Sequence, residues 1–288
     1  MKIEIRQATP ADAETCGRII YESFKGVSDR HGFPCDFPSV KTATQITSMF
    51  IMNGSVFSLV AEMDGSVVGC NFLHEGHPIR SVGPLAVDPD LQNRGIGRLL
   101  MGKTMDRAKN SMGIRLIQET SNTEAISLYT SLGFDVKDSL LLIEGKPKNP
   151  VFTQGFNVKP LTIREVKRCA KICAEVFGFE RTQEIETAVK YFSPFGVIRG
   201  NDLTAYASSM TSRMTNHCVA KTDEDMKALI LGIGKLTSES FSFLLPVRHS
   251  DLFRWCLKEG FRVLKPLTIM SLGHYDEPQG VYFPSAVF

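Results

Sequence analysis

The chain has 288 residues, 43% of them hydrophobic and 22% charged, and a formal net charge of +2 at pH 7. This predicts one large domain or two ordinary ones with a real core, and the balanced charge gives no bulk attraction to nucleic acid. No run approaches the ~18 apolar residues needed to span a bilayer, so a cytoplasmic protein without membrane partners is expected.

In chain order, residues 1–6 alternate apolar and charged side chains and read as a strand, not a signal peptide. Thr9 leads a cap, and an amphipathic helix follows through Phe24. Residues 24–39 carry His31, Phe33, Pro34, Asp36 and Phe37. They read as a long connection, equally suited to be a lid over an acceptor or a surface link packed on its own aromatics. Residues 55–62 and 67–74 form strands joined by the Asp64-Gly65 turn. A strand over 81–87 breaks at Asp88-Pro89, and a helix opens at Ile96 with Ile96, Leu99, Leu100 and Ala108 on one face. Residues 115–118 read as a strand and 123–132 as a helix closed by Gly133, with Phe134 opening another strand. The mixture is antiparallel hairpins early and a β-α-β unit in the middle, an α/β (α+β) fold.

One unit is written twice. Residues 3–24 align without gaps on 156–177, matching Thr9 with Thr162, Cys16 with Cys169 and Phe24 with Phe177. A later echo sets 128–134 (LYTSLGF) against 255–261 (WCLKEGF). We therefore expect a first domain over 1–145, a Pro-, Gly- and Lys-rich linker over 146–155, and a related domain over 156–288. The seven cysteines form no CxxC pair and sit mostly in apolar patterns. They read as reduced, buried thiols, with no metal site.

The chemistry is expected where the strand over 81–87 runs through Gln92-Asn93-Arg94-Gly95-Ile96-Gly97-Arg98 into a helix. A helix start leaves backbone N–H groups unpaired, and its dipole favours an anion. Gly95 and Gly97 let a diphosphate approach the backbone, and Arg94 and Arg98 add positive charge. Downstream stand Asn122, Ala125, Leu128-Tyr129 and Leu132-Gly133-Phe134.

The run LAVDPDLQNRGIGRLLM, followed by N-x-x-A-x-x-L-Y-x-x-L-G-F, resembles the cofactor signature of the GNAT acetyltransferase superfamily. The resemblance covers roughly residues 1–145. It implies a mixed, mostly antiparallel twisted sheet flanked by helices, with acetyl-CoA as co-substrate and the amine of a small molecule or peptide as acceptor. By it, backbone groups of Leu85, Ala86 and Val87 pair with the pantetheine arm like an added strand. Groups from Gln92 and Asn93 through Arg94, Gly95, Ile96, Gly97 and Arg98 hold the diphosphate. Asn122 contacts the pantetheine, and Tyr129 sits near the thioester sulfur. The strand before the cradle is expected to splay from its neighbour. A Val87 N–H would stabilise the oxyanion, and Tyr129 would protonate the departing thiolate.

The base that takes the amine proton is ranked as Glu119 or Glu75, ahead of His74, His77 and Asp88. The second copy has no glycine at its equivalent helix start but Asp223, Glu224 and Asp225, which would repel a diphosphate. It reads as a degenerate domain that walls the acceptor site or forms an oligomer interface such as a homodimer. Residues 280–288, apolar and aromatic, are expected to add a strand to a sheet, that of the other domain included. Two alternatives stand beside the enzyme. One is an acyl-CoA-binding regulatory module without turnover, which would not need Tyr129. The other is a transferase using a longer acyl-CoA. A P-loop is disfavoured because no GK[ST] follows the loop.

Overall fold

The computed structural model describes residues 2–212 and 215–286. Its chain divides into two compact units, one holding residues through Val136 with Met270–His274, the other Lys137–Ile269 with Tyr275–Ala286. The first unit contains β1 (Ile3–Gln7), α1 (Ala13–His31), α2 (Val40–Met52), β2 (Val56–Met63), β3 (Ser66–His74), β4 (Ile79–Val82), β5 (Ala86–Val87), α3 (Ile96–Ala108), β6 (Gly113–Glu119) and α4 (Thr123–Ser131). Its strands run β1-β2-β3-β4-β6, with β5 also on β3. All pair antiparallel except β4 with β6.

Local chemistry explains the opening of this unit. Thr9 forms a capping box, its N–H donating to the Asp12 carboxylate at 2.7 Å. Arg6 holds the same carboxylate through two guanidinium nitrogens at 2.8 and 2.9 Å. Helix α1 then runs past Phe24 to His31 and stops where Gly32 adopts φ 67°. The expected long connection over 24–39 is thus only 32–39, because Lys25 and Asp29 pair along the helix instead of breaking it. The remaining link is packed, with Phe37 edge-on to Phe24 at 5.2 Å and only 3% exposed.

The second unit contains most of β7 (Asp135–Gly145), then β8 (Asn157–Pro160), α5 (Val166–Phe177), α6 (Thr182–Tyr191), β9 (Phe195–Arg199), β10 (Asp202–Ala207), β11 (Cys218–Ala220), α7 (Asp223–Leu236), β12 (Phe241–Pro246) and α8 (Ser250–Lys258). It ends with the larger part of β13 (Arg262–Gly273) and with β14 (Val281–Phe283). One sheet runs β14-β11-β10-β9-β8, and β12 pairs antiparallel with β7. Phe241, Phe243, Leu245, Leu229, Val197 and Phe283 meet in its core. The repeat read from sequence recurs in atomic detail, since Thr162 forms the same capping box with Glu165.

Two expectations are modified. The units divide after Val136, not after 145, because β7 is the hydrogen-bonded partner of β12. In exchange, Met270–His274 completes the first unit, His274 N–H donating to Met112 O at 3.0 Å. The C-terminal strand β14 pairs with β11 in its own unit's sheet, not in that of the other domain. Val287 and Phe288 lie outside the described residues, as does Met1 of the N-terminal strand. Among the described residues no helix is long and apolar enough to cross a membrane.

Candidate acyl-CoA site

The site begins with a defect in strand pairing. Leu73 faces Val82, whereas three residues back Cys70 faces Ala86, four residues on. The outer strand therefore carries one extra residue, a bulge at Gly83 to Leu85. The parallel partner is lost at the same place, since β4 meets β6 only from Ile79↔Gly113 to Ser81↔Arg115. Beyond Val82 the strand keeps β3 alone, and the sheet splays.

Which backbone groups face the gap follows from register. Asp88 N–H donates to Val68 O at 2.9 Å, so Ala86, two residues earlier, also directs its backbone at β3. Leu85 and Val87 turn theirs the other way. Ala86 is accordingly buried against β3 and absent from the cavity wall, while Leu85 and Val87 line it. Of the three residues expected to receive the pantetheine arm, Leu85 and Val87 line the cavity and Ala86 does not.

The cavity has a volume of about 620 Å³, within the range of small-molecule sites. Of the signature loop, Gln92, Asn93, Gly95, Ile96, Gly97 and Arg98 line it, and Arg94 does not. Asn93 at φ 62° and Gly95 at φ 83° bend the loop through left-handed conformations, a turn Asn tolerates and Gly takes without strain. Gly95 is the N-cap of α3 and offers no side chain to the first amides. A Cβ at Gly97 would stand 3.4 Å from Leu128 and 3.9 Å from Leu85 and Val87, so the glycine keeps the cavity floor open. The Gln92 side chain braces the loop, donating to Val87 O at 3.2 Å and Ser23 Oγ at 3.3 Å. Arg98 donates to Ser131 Oγ at 2.7 Å, joining α3 to α4.

Helix α4 forms another wall. Asn122 Oδ1 caps it by accepting from Ala125 N–H at 3.0 Å, and the residue also lines the cavity. Tyr129 lines the cavity while only 8% exposed, and burial pushes its phenol above the ordinary range. It is therefore a protonated donor at neutral pH.

The proposed bases are not on this wall. Both oxygens of Glu75 are bound by Arg107 at 3.0 Å, an ion pair that holds it at the surface. Glu119 ends β6 and is half-buried. His74 sits 3.0 Å from Gly83 O, at the start of the bulge. His77 gives its carbonyl to Arg80 at 2.6 Å. Asp88 caps the short turn before the loop and lies 3.8 Å from Arg18, so its carboxylate already has structural work. Sequence reasoning missed one whole wall, Ser23, Val27 and Arg30 of α1. Their i, i+4, i+7 spacing was the available signal, hidden because the helix was expected to end at Phe24.

The fold and this cavity combine a splayed mixed sheet with an uncapped, glycine-bearing helix start. The acetyltransferase (GNAT) domain model matches residues 54–136. An uncharacterized protein of Mycobacterium leprae is 31% identical over 134 residues, 46% of this chain and 34% of that protein. An uncharacterized N-acetyltransferase of Methanocaldococcus jannaschii is 26% identical over 46% of this chain and 61% of that protein. The chain thus spans about a third and three fifths of these curated relatives. A tandem GNAT protein from the clavulanic acid biosynthesis pathway shares the fold over 96% of this chain and 100% of its own, with a TM-score of 0.59 at 12% identity. Residues 54–136 thus match a GNAT acetyltransferase domain, and the two-unit fold resembles that of a tandem GNAT protein.

Proposed function

We propose that the first unit is an N-acetyltransferase that moves an acetyl group from acetyl-CoA to the amine of a small molecule or peptide by direct attack. The observation that carries this reading is the start of α3. Its amides at Ile96, Gly97 and Arg98 meet no capping side chain and open into a cavity that also holds Leu85, Val87, Asn122 and Tyr129. Bare amides at the positive end of a helix suit a diphosphate, and the splayed edge of Leu85 and Val87 suits an extended amide-bearing arm. The Methanocaldococcus jannaschii relative, named an N-acetyltransferase, supports the same reading.

Acetyl-CoA supplies a thioester as acyl donor. Around it the chain's groups divide the work. The Val87 N–H, directed into the splay, stabilises the oxyanion. Tyr129 gives its proton to the sulfur as the C–S bond breaks and the N–C bond forms. Glu119, on the strand that departs from β4, takes the amine proton. Glu75 is the weaker choice because Arg107 occupies both of its oxygens.

The test is free-thiol release from acetyl-CoA across an amine panel, with wild type, Tyr129→Phe and Glu119→Gln. Tyr129→Phe should lower kcat about a hundredfold with KM near wild type, and Glu119→Gln should likewise lower kcat with KM near wild type. Tight CoA binding with no thiol release for any amine would instead make the unit a regulatory acyl-CoA sensor.

A further inference from the structure

Helix α1 is longer than its counterpart in the repeat. In the second unit α5 stops at Phe177, where Gly178 takes φ 93°. In the first unit the matching Phe24 is followed by Lys25, and the helix runs on to His31. Those added turns bring Val27 and Arg30 to the cavity wall.

The direction of α1 past the loop is fixed by two contacts. Arg18 lies 3.8 Å from Asp88, at the end of β5. One turn further, Ser23 accepts from Gln92, in the loop itself, at 3.3 Å. The helix therefore travels from β5 toward the cradle, the same way as the chain from strand to α3. Arg30 lies seven residues, about 10 Å, beyond Ser23 and so past the cradle. It is on the side opposite the bulge at Gly83 to Leu85. It is exposed, and no hydrogen bond or ion pair engages its guanidinium among the described residues. Among the described residues that line the cavity, the only acidic side chain is Glu124, in the first turn of α4.

We propose that Arg30 is a specificity residue that binds the 3′-phosphate of CoA, the phosphomonoester beyond the diphosphate, and so selects CoA over dephospho-CoA. This rests on the acetyl-CoA reading above. A guanidinium matches a phosphomonoester bidentately, and the α3 amides already serve the diphosphate. An exposed pair of this kind is screened by salt.

The experiment is calorimetric titration of the full chain with CoA and with dephospho-CoA, for wild type and Arg30→Met, at low and high salt. Wild type should prefer CoA about tenfold, which is 1.4 kcal/mol, and the preference should shrink at high salt. Arg30→Met should weaken CoA to the level of dephospho-CoA and leave dephospho-CoA unchanged. If wild type binds both alike, or the variant weakens both equally, Arg30 does not read the 3′-phosphate, while the acetyl-CoA reading stands. If wild type binds neither, the acetyl-CoA reading itself fails.

Discussion

Helices α3 and α7 occupy matching places in the two units. Each follows a short strand, β5 or β11, and each begins facing the end of it. Their first turns are built to opposite ends. At α3 the N-cap is Gly95 and the first turn holds no acid. At α7 the N-cap is Thr222, whose hydroxyl oxygen accepts from Asp225 N–H at 3.2 Å, and the first turn holds Asp223, Glu224 and Asp225. The fully buried Asp225 carboxylate accepts hydrogen bonds from the hydroxyls of Thr204 at 2.6 Å and Thr222 at 2.7 Å. His249, the N-cap of α8, stands 3.6 Å from Asp223. A helix N-terminus is stabilised by a negative partner. The second unit provides one from its own chain, and the first unit does not.

The glycines tell the same story. Gly97 keeps a cavity open, whereas a Cβ at Gly232 of α7 would stand 2.4 Å from Val158 and one at Gly234 would stand 2.6 Å from Pro147. In α7 glycine serves close packing inside the helix, too late in the helix for any cradle.

The largest test of this contrast is Gly97→Glu. Its Cβ meets only ordinary contacts, so the fold should survive while a carboxylate enters the anion site. CoA affinity should fall a hundredfold or more, roughly 3 kcal/mol, with Tm nearly unchanged. Normal CoA binding by that variant would misplace the cradle. Next in size, Thr222→Ala should cost about 1–2 kcal/mol in urea unfolding, since it removes a cap and a partner of buried Asp225, and leave CoA affinity alone. A drop in CoA affinity would break the assignment of α7 as self-capped.

The smallest effect concerns the paired capping boxes. Arg6 holds the Asp12 carboxylate at about 2, and Thr162, with Lys159 behind it, holds Glu165 at about 2. Both lie below their ordinary 3.8 and 4.5, so on acidification the unfolded chain takes up these protons first. Their stabilisation is complete above about pH 4.5 and is lost as pH falls to about 2. Asp12→Asn should cost about 1 kcal/mol at pH 6, and the gap to wild type should narrow by pH 3. Glu165→Gln should behave alike with a smaller gap, because Lys159 is more exposed than the groups around Asp12. A gap for Asp12→Asn that is equal at both pH values would show that charge is not what the box uses.

Much of this was legible in the residues. The order of strands and helices in the first unit, the capping Thr9 and Thr162, the glycines of the loop and the acidic first turn of α7 are local signals, written within a few residues of where they act. The cradle could be located for the same reason, since a helix start is specified by its own cap and first turn. Pairing over long range was not legible. That β7 would join β12, that Met270–His274 would complete the first unit, and that β14 would stay with β11 depend on which edges meet, and alternating apolar residues fit many edges equally.

The same division holds within the site. Sequence determined that a helix start without a side-chain cap would stand at residues 95–98, because glycine and the helix start are backbone properties of those positions. Only the tertiary structure decided which side chains surround that helix start. It turned Ala86 toward β3 through a one-residue bulge, engaged Glu75 with Arg107 from another element, and carried Arg30 to the cavity on the extra turns of α1. Each of these depends on register or packing between segments distant in the chain, and those are fixed only when the sheet and helices close together.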